Sequence, residues 1–265
     1  MVLLAIPFVA SVARYVGDDW IPSGDNALIA LRARDVFSAH PPLLGQPSNA
    51  GIYAKDNPVH PGPIEFYLLS VPVHLLGAAL GQLLGAAAFG FAGVLGGLWA
   101  VFRRTGPRFA VVAAALIAFL AWVAGPAALV NPISSNIGGI PLLALALMAW
   151  AVLDGDVRLL PLAAFAFSFV AQQHLAILGL GGGLGAWLVL AAVLVQVRWV
   201  RAQRAEAEGA PPSTRAPDER PYPWIIAAAV VVLVCWAPVI LDTLVHFPGN
   251  GWDIIQYSRA SDHPS

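Results

Sequence analysis

Charged residues are scarce in this chain. Of its 265 residues, 11% are Asp, Glu, Lys or Arg and 58% are hydrophobic, whereas a soluble domain carries about 25% charged residues. This shortage excludes an ordinary soluble domain and predicts a membrane protein. The formal net charge of −1 gives no reason to expect a nucleic-acid partner.

Cysteine is almost absent as well. The lone Cys235 lies in an apolar run, so neither an intrachain disulfide nor a cysteine metal site can form. Residues 1–16 also lack the basic segment of a signal peptide, although a small-residue cleavage site near Ala13 leaves that interpretation open. A first transmembrane helix over 1–16 is the favoured interpretation.

Long apolar runs recur along the chain. They cover 83–102, 109–126, 137–153, 159–173, 175–197 and 224–241. Several approach the roughly 20 residues that cross a ~30 Å hydrocarbon core, and the shorter ones require thinning of the bilayer or snorkelling. Such runs are too long for barrel strands, so the prediction is an all-α membrane bundle of about seven transmembrane helices plus juxtamembrane helices.

The arginines predict the orientation. Nine of the fourteen Lys and Arg residues fall in three connections, which the positive-inside rule places in the cytoplasm. They are Arg103, Arg104, Arg108, Arg158, Arg198, Arg201, Arg204, Arg215 and Arg220. Alternation then puts 17–62, 127–136, the turn at 172–174 and everything after 242 outside. We therefore expect a multi-pass protein of the plasma (inner) membrane with its functional face outside the cytoplasm.

The domain division follows from this topology. We expect an external loop over 17–82, a six-helix bundle over 83–241 with a cytoplasmic loop at 198–222, and a second external loop that starts at 242–265. Segment 63–80 would have both ends outside, and its prolines and charges favour an interfacial helix. The polar, Pro-rich stretch 201–221 has the composition of a disordered connector.

The first external loop gathers charge. Its acids are Asp18, Asp19, Asp25, Asp35 and Asp56, and its basic residues are Arg32, Arg34, Lys55, His40 and His60. Ser23 or Asp25 can cap a short helix that ends before Pro41. Alternatively, a carboxylate at the outer mouth of a bundle can serve as a general base or a metal ligand. The spacing alone does not choose between these two interpretations.

Three more polar groups are expected on the same side. They are Asn131 with Pro132, the Gln172–Gln173–His174 turn, and Asp242 with His246. Polar groups near membrane depth tend to face a bundle interior or a wet cavity, which predicts one outward-facing site. For His174 the alternative is a hydrogen bond between helices, and Asp154 and Asp156 are expected in a cytoplasmic turn.

The order of short motifs resembles a known family. GDNALIALRARDVF, PPLLGQPSNAG, HPGPIEFYLL, VNP, QQHL and WAPVILDTLVHFPGN are similar to segments of polytopic glycosyltransferases of the type C (GT-C) fold, of the protein O-mannosyltransferase and aminoarabinose-transferase-like kind. The resemblance implies transfer of a hexose or pentose from a polyprenyl-phosphate carrier to an acceptor at the external face of the cell envelope. Members of that family usually continue with several more helices, so we expect these 265 residues to lack lipid-carrier and acceptor contacts.

The resemblance also implies roles for particular residues. The match to GDNALIALR places the catalytic acid on Asp25, with the Asp18–Asp19 pair as the runner-up. The residues expected to meet lipid phosphate or substrate are Arg32, Arg34, Lys55, His60, His174 and Asp242. Some families of this fold use a divalent metal and others do not.

Two other functions stay open. One is a non-catalytic membrane subunit, or a truncated remnant, that binds a lipid or another membrane protein. The other is a secondary transporter, but the sequence has neither the paired intramembrane acids nor the inverted repeat expected of one.

Overall fold

The computed structural model describes residues 2–48, 58–209, 211 and 216–259. Over these ranges the chain is all-α, and its only β pairing is an isolated bridge between Pro47 and Val59. The helices are α1 (Val2–Gly17), α2 (Asp25–Asp35), α3 (Ile64–Leu76), α4 (Ala78–Thr105), α5 (Pro107–Val130), α6 (Ser134–Ile137), α7 (Gly139–Leu153), α8 (Leu160–Gln173), α9 (Leu175–Ala207), α10 (Tyr222–Val245) and α11 (Asn250–Arg259), with a 3₁₀ turn at Val157–Leu159 before α8.

Four of the described helices are long and apolar enough to cross a membrane: α4, α5, α9 and α10. The predicted count of about seven spans is not confirmed. Helices α1, α7 and α8 have 16, 15 and 14 residues, which corresponds to about 21–24 Å of helix against a hydrocarbon core of ~30 Å.

Segment 63–80 is a helical hairpin rather than one helix. Helix α3 ends at Leu76, Gly77 turns the chain with φ 83°, and α4 returns along α3. Glycine suits this turn because other residues rarely adopt positive φ. The two helices touch closely, since a Cβ on Gly81 would lie 2.4 Å from the carbonyl oxygen of Pro72.

The core is assembled around α4 and α8. One apolar cluster joins α7, α8 and α9 through Leu145, Met148, Leu160 and neighbours. A second cluster joins α1, α4 and α5, and a third packs α2 on α3 through Ile29 and Phe66. A fourth cluster, which includes Phe169, connects α3 and α4 to α6 and α8. The α2–α3 unit is thereby fixed to the bundle.

The arginine-bearing connections lie together at one end of the bundle. Arg103 forms a bidentate ion pair with Asp156, which is only 1% exposed. Arg104 contacts the carboxylates of Asp154 and Asp218 at 2.6 and 2.8 Å. Exposed ion pairs contribute little, about 0–1 kcal/mol each, so the buried Asp156 is the member whose loss matters most.

The described parts of 201–221, residues 201–209, 211 and 216–221, include a helical end and a docked segment, although the composition predicts a disordered connector. Helix α9 continues to Ala207, and beyond the gaps in the described residues the chain docks on the 154–158 turn. The backbone N–H of Asp218 donates to the carbonyl of Gly155 at 3.2 Å, and Arg158 pairs with Glu219. Long-range charge pairs therefore order a segment whose composition is polar and Pro-rich.

Candidate functional site

The loop between α1 and α3 folds back on itself beside its His-Pro-Gly-Pro turn. The N–H of His60 donates to the carbonyl of Gln46 at 2.8 Å, and the N–H of Gly45 donates to the carbonyl of His60 at 3.1 Å. A Cβ on Gly45 would lie 2.8 Å from the Cβ of His60. Glycine is required there because the two arms of the loop approach so closely.

Two buried amides hold the start of α2. The Nε2 of Gln46 donates to the carbonyl of Asp25 at 2.9 Å, and the Nε2 of Gln82, from α4, donates to the carbonyl of Asn26 at 2.7 Å. Gln46 thus hydrogen-bonds the backbone of both Asp25 and His60. Two residues that the sequence assigned to one site are therefore joined through a single residue, whose side chain bonds Asp25 and whose backbone carbonyl bonds His60.

The interpretation of Ser23 or Asp25 as a helix cap is wrong. The residue at the cap position is Gly24, and no side chain caps the helix. Asp25 is the first residue of α2, and its exposed side chain lies in the first turn, where the helix dipole favours an anion. Its carboxylate makes no hydrogen bond or ion pair with the described part of the chain.

Gln172 ties the His-Pro-Gly-Pro turn to the bundle. Its Oε1 accepts from the N–H of Ile64 at 3.3 Å, its backbone carbonyl accepts from Gly62 at 3.4 Å, and its Nε2 donates to the carbonyl of Cys235 at 3.0 Å. A Cβ on Gly62 would lie 2.2 Å from Gln172 Oε1. The fully buried Gln172 therefore joins the loop, α8 and α10.

Two predicted residues, His60 and His174, meet at this turn. Their ring centroids are 4.6 Å apart, and His60 is 5% exposed. Burial, together with the charge that His174 would carry, lowers the pKa of His60 to about 4. At neutral pH His60 is uncharged, so it can share a hydrogen bond but cannot supply a positive charge to a lipid phosphate.

Further buried polar groups lie on α3 and α8. Burial raises the pKa of Glu65 well above its usual range. The Oε1 of Glu65 and both amide atoms of Gln173 make no hydrogen bond with the described residues. Polar side chains without a described partner are therefore buried on α3 and α8, next to the His-Pro-Gly-Pro turn.

The predicted cations lie on the exposed surface. Arg32 pairs loosely with Asp35, at 3.7 Å, and Arg34 makes no ion pair within the described ranges. The runner-up acid Asp18 pairs with Arg14 at 3.8 Å, and Asp19 follows it with φ 51°. Lys55, together with the loop acid Asp56, lies outside the described residues.

The segment after α10 contacts the loop between α1 and α3. Asp242 is 6% exposed and contacts Nδ1 of His246 at 2.9 Å. From α11, the Oδ1 of Asn250 accepts from the N–H of Val59 at 2.9 Å, and its Nδ2 donates to the carbonyl of Val59 at 3.1 Å. Sequence reasoning missed Asn250, because nothing in the local pattern indicates a partner 191 residues away.

Asn131 has a local role. Its Oδ1 accepts from the N–H of Ile133 at 3.1 Å and so closes the turn after α5. Among the residues that the structure describes, no group of three or more His, Cys, Asp or Glu side chains is placed to hold a metal ion. The described part of the chain thus offers no ligand set for the divalent metal that the resemblance allows.

Comparison of the chain with protein-family models, with curated proteins and with solved structures finds no match.

Proposed function

We propose that this chain is the membrane-embedded module of a glycosyltransferase that moves a sugar from a polyprenyl-phosphate carrier to an acceptor at the external face. The observation that carries the proposal is the Gln46 bridge, which fixes Asp25 beside the His60 turn. An exposed carboxylate without a partner among the described residues is thereby held on a rigid loop above an apolar bundle. A base that meets lipid-linked substrates requires this position.

Asp25 is the general base of the proposed reaction. It takes the proton of the acceptor hydroxyl as that oxygen attacks the anomeric carbon of the sugar. The bond between that carbon and the phosphate oxygen breaks, and its electron pair leaves with the polyprenyl phosphate. The developing negative charge requires a cation nearby.

Arg32 is the better placed of the two arginines on α2. It follows Asp25 by seven residues, which is about two helical turns, so both side chains emerge on the same side of the helix about 10 Å apart. Arg34 follows by nine residues and emerges on the opposite side. Arg32 is therefore the proposed partner of the carrier phosphate, and its loose pair with Asp35 leaves its charge accessible.

The experiment is sugar transfer in membranes that contain the 265-residue chain, with a panel of radiolabelled polyprenyl-phosphate hexoses and pentoses. Asp25→Asn keeps the size of the side chain and removes the base, so we expect transfer to fall by about 10²–10⁴-fold. Glu208→Gln is the control, because it neutralises an exposed acid at the arginine-rich end of the bundle, away from the candidate site. We expect it to retain transfer.

The outcomes separate the hypotheses. Equal transfer by the wild-type chain and Asp25→Asn would refute the assignment of the base, and loss in Asp18→Asn or Asp19→Asn instead would favour the runner-up pair. Absence of transfer by the wild-type chain would contradict the proposed enzyme. Stable association with another membrane protein, unchanged by Asp25→Asn, would then favour the non-catalytic subunit.

A further inference from the structure

An apolar groove opens between α9 and α10, and its floor is α8. It encloses about 640 Å³ and is lined by small and aliphatic side chains such as Ala164 of α8, Ala192 of α9 and Ala228 of α10. On α8 and α10 most of the lining residues lie in the half of the helix that follows the arginine-rich connections, and on α9 they occupy the middle of the helix. The groove therefore belongs to that half of the bundle, away from the candidate site.

The length of the groove indicates its occupant. Its wall on α9 runs from Gly185 to Val197, which is about 18 Å of helix and close to the ~15 Å depth of one leaflet. Phe167 blocks the far end, since a Cβ on Gly185 would lie 2.2 Å from its ring. A transmembrane helix of a partner requires about twice this length, whereas a single acyl chain fits.

Polar side chains lie at the open end of the groove, next to Val197 of α9. The side chain of Gln196 lines it and makes no hydrogen bond with the described residues. An amide without a partner is costly in hydrocarbon. Arg204 follows Val197 by seven residues, about two helical turns, so it lies on the same side of α9 as Val197. Arg201 follows Val197 by four residues and lies at the edge of that side, about one turn farther out.

The two arginines are accessible to an anion. Both are exposed, and neither forms an ion pair with a carboxylate in the described parts of the chain. Of the other arginines of this end, Arg103, Arg104 and Arg158 are paired with Asp or Glu, whereas Arg108, Arg198 and Arg220 make no ion pair with a described carboxylate and lie on other parts of this end. The positive charge next to the groove is therefore not neutralised by the described residues.

We propose that this groove binds an anionic phospholipid of the leaflet at the arginine-rich end. One acyl chain lies along α8 between α9 and α10, with its ester group near Gln196, whose Nε2 can donate to the ester carbonyl. The phosphate lies at Arg204 and Arg201. Anionic lipid is favoured over zwitterionic lipid because polybasic segments near a membrane surface attract it. The proposal is independent of any transferase activity.

The test is native mass spectrometry of the full chain from micelles that contain equal amounts of dioleoylphosphatidylglycerol and dioleoylphosphatidylcholine. We expect the wild-type chain to retain phosphatidylglycerol preferentially. Each arginine contributes about a fivefold preference, so Arg201→Gln/Arg204→Gln is expected to lose about 25-fold. Arg108→Gln is the matched control, since it removes an exposed arginine from the same end at α5, and it is expected to change nothing.

A second variant tests the groove itself. Ala192→Trp fills it without changing the charge and is expected to abolish retention, while circular dichroism reports whether the helices remain. Equal retention of the two lipids by the wild-type chain, or full retention by the double arginine variant, would overturn the proposal. A dimer of the chain that Ala192→Trp disrupts, with no bound lipid, would overturn it as well and identify a second copy as the occupant.

Discussion

Two adjacent glutamines on α8 should respond in opposite directions to the same substitution. Both are buried, at 0% and 2% exposure. The side chain of Gln172 bonds the backbone of Ile64 and of Cys235, whereas that of Gln173 makes no hydrogen bond with the described residues. Replacing each with Leu, which is similar in size, therefore isolates the contribution of the hydrogen bonds.

The magnitudes follow from what each change leaves behind. Gln172→Leu leaves the buried N–H of Ile64 without a partner, at a cost of about 1–3 kcal/mol, and also removes the bond to Cys235, worth about 0.5–1.5 kcal/mol. We expect a loss of about 2–4 kcal/mol in the free energy of unfolding. Gln173→Leu removes a polar group that has no described partner, so its effect is expected to be neutral or stabilising by about 1–3 kcal/mol.

The assay is reversible unfolding in detergent, combined with amide hydrogen exchange over residues 58–64. Gln172→Leu should lower the midpoint of the unfolding transition. It should also speed hydrogen exchange at the amide of Ile64 in particular, because that N–H loses its acceptor. Gln173→Leu should leave exchange at Ile64 unchanged. Equal effects of the two substitutions on stability, or normal protection of Ile64 in Gln172→Leu, would refute the role assigned to Gln172.

Two further predictions concern the same loop. The pKa of His60 is about 4 in the folded protein, below the value of about 6.5 in the unfolded chain. The contribution of neutral His60 to the free energy of unfolding is therefore present above pH 6.5 and is lost as the pH falls toward 4. The loss amounts to about 3 kcal/mol. Denaturant titrations at several pH values should show it in wild type and His40→Gln but not in His60→Gln. Asn250→Ala removes both bonds to Val59 and should speed proteolysis of the loop between α1 and α3 relative to Asn136→Ala, which changes an Asn without such a contact. Equal cleavage of the two variants would contradict the stabilising role of the Asn250–Val59 bonds.

The positions of the helices could be predicted from the sequence because apolar runs have few alternatives in lipid. The number of spans could not be predicted, because a run of 14–16 residues has a length that suits either a buried helix or a short transmembrane helix. The single interfacial helix predicted for 63–80 did not allow for Gly77, and Pro72 does not end the helix. That proline lies inside α3, and the break comes five residues later at Gly77, where positive φ is required.

The candidate site could be predicted in part. The charges of the first loop indicated where it lies, and the structure joins Asp25 to the His60 turn through Gln46. The residues that hold the site together, Gln172 and Asn250, could not be assigned a role because their partners are 108 and 191 residues away. Composition likewise misjudged the docked end of 201–221, since its ion pairs are with residues in other connections.

The side of the membrane on which the Asp25 loop lies is the claim on which the functional proposal most depends. In a Cys235→Ser background, single cysteines at Ala39→Cys, beyond α2, and Gln203→Cys, at the arginine-rich end of α9, can be labelled in intact cells with a membrane-impermeant maleimide. We predict that Ala39→Cys is labelled in intact cells and that Gln203→Cys is labelled only after lysis. Labelling of Gln203→Cys in intact cells with protection of Ala39→Cys would contradict the account.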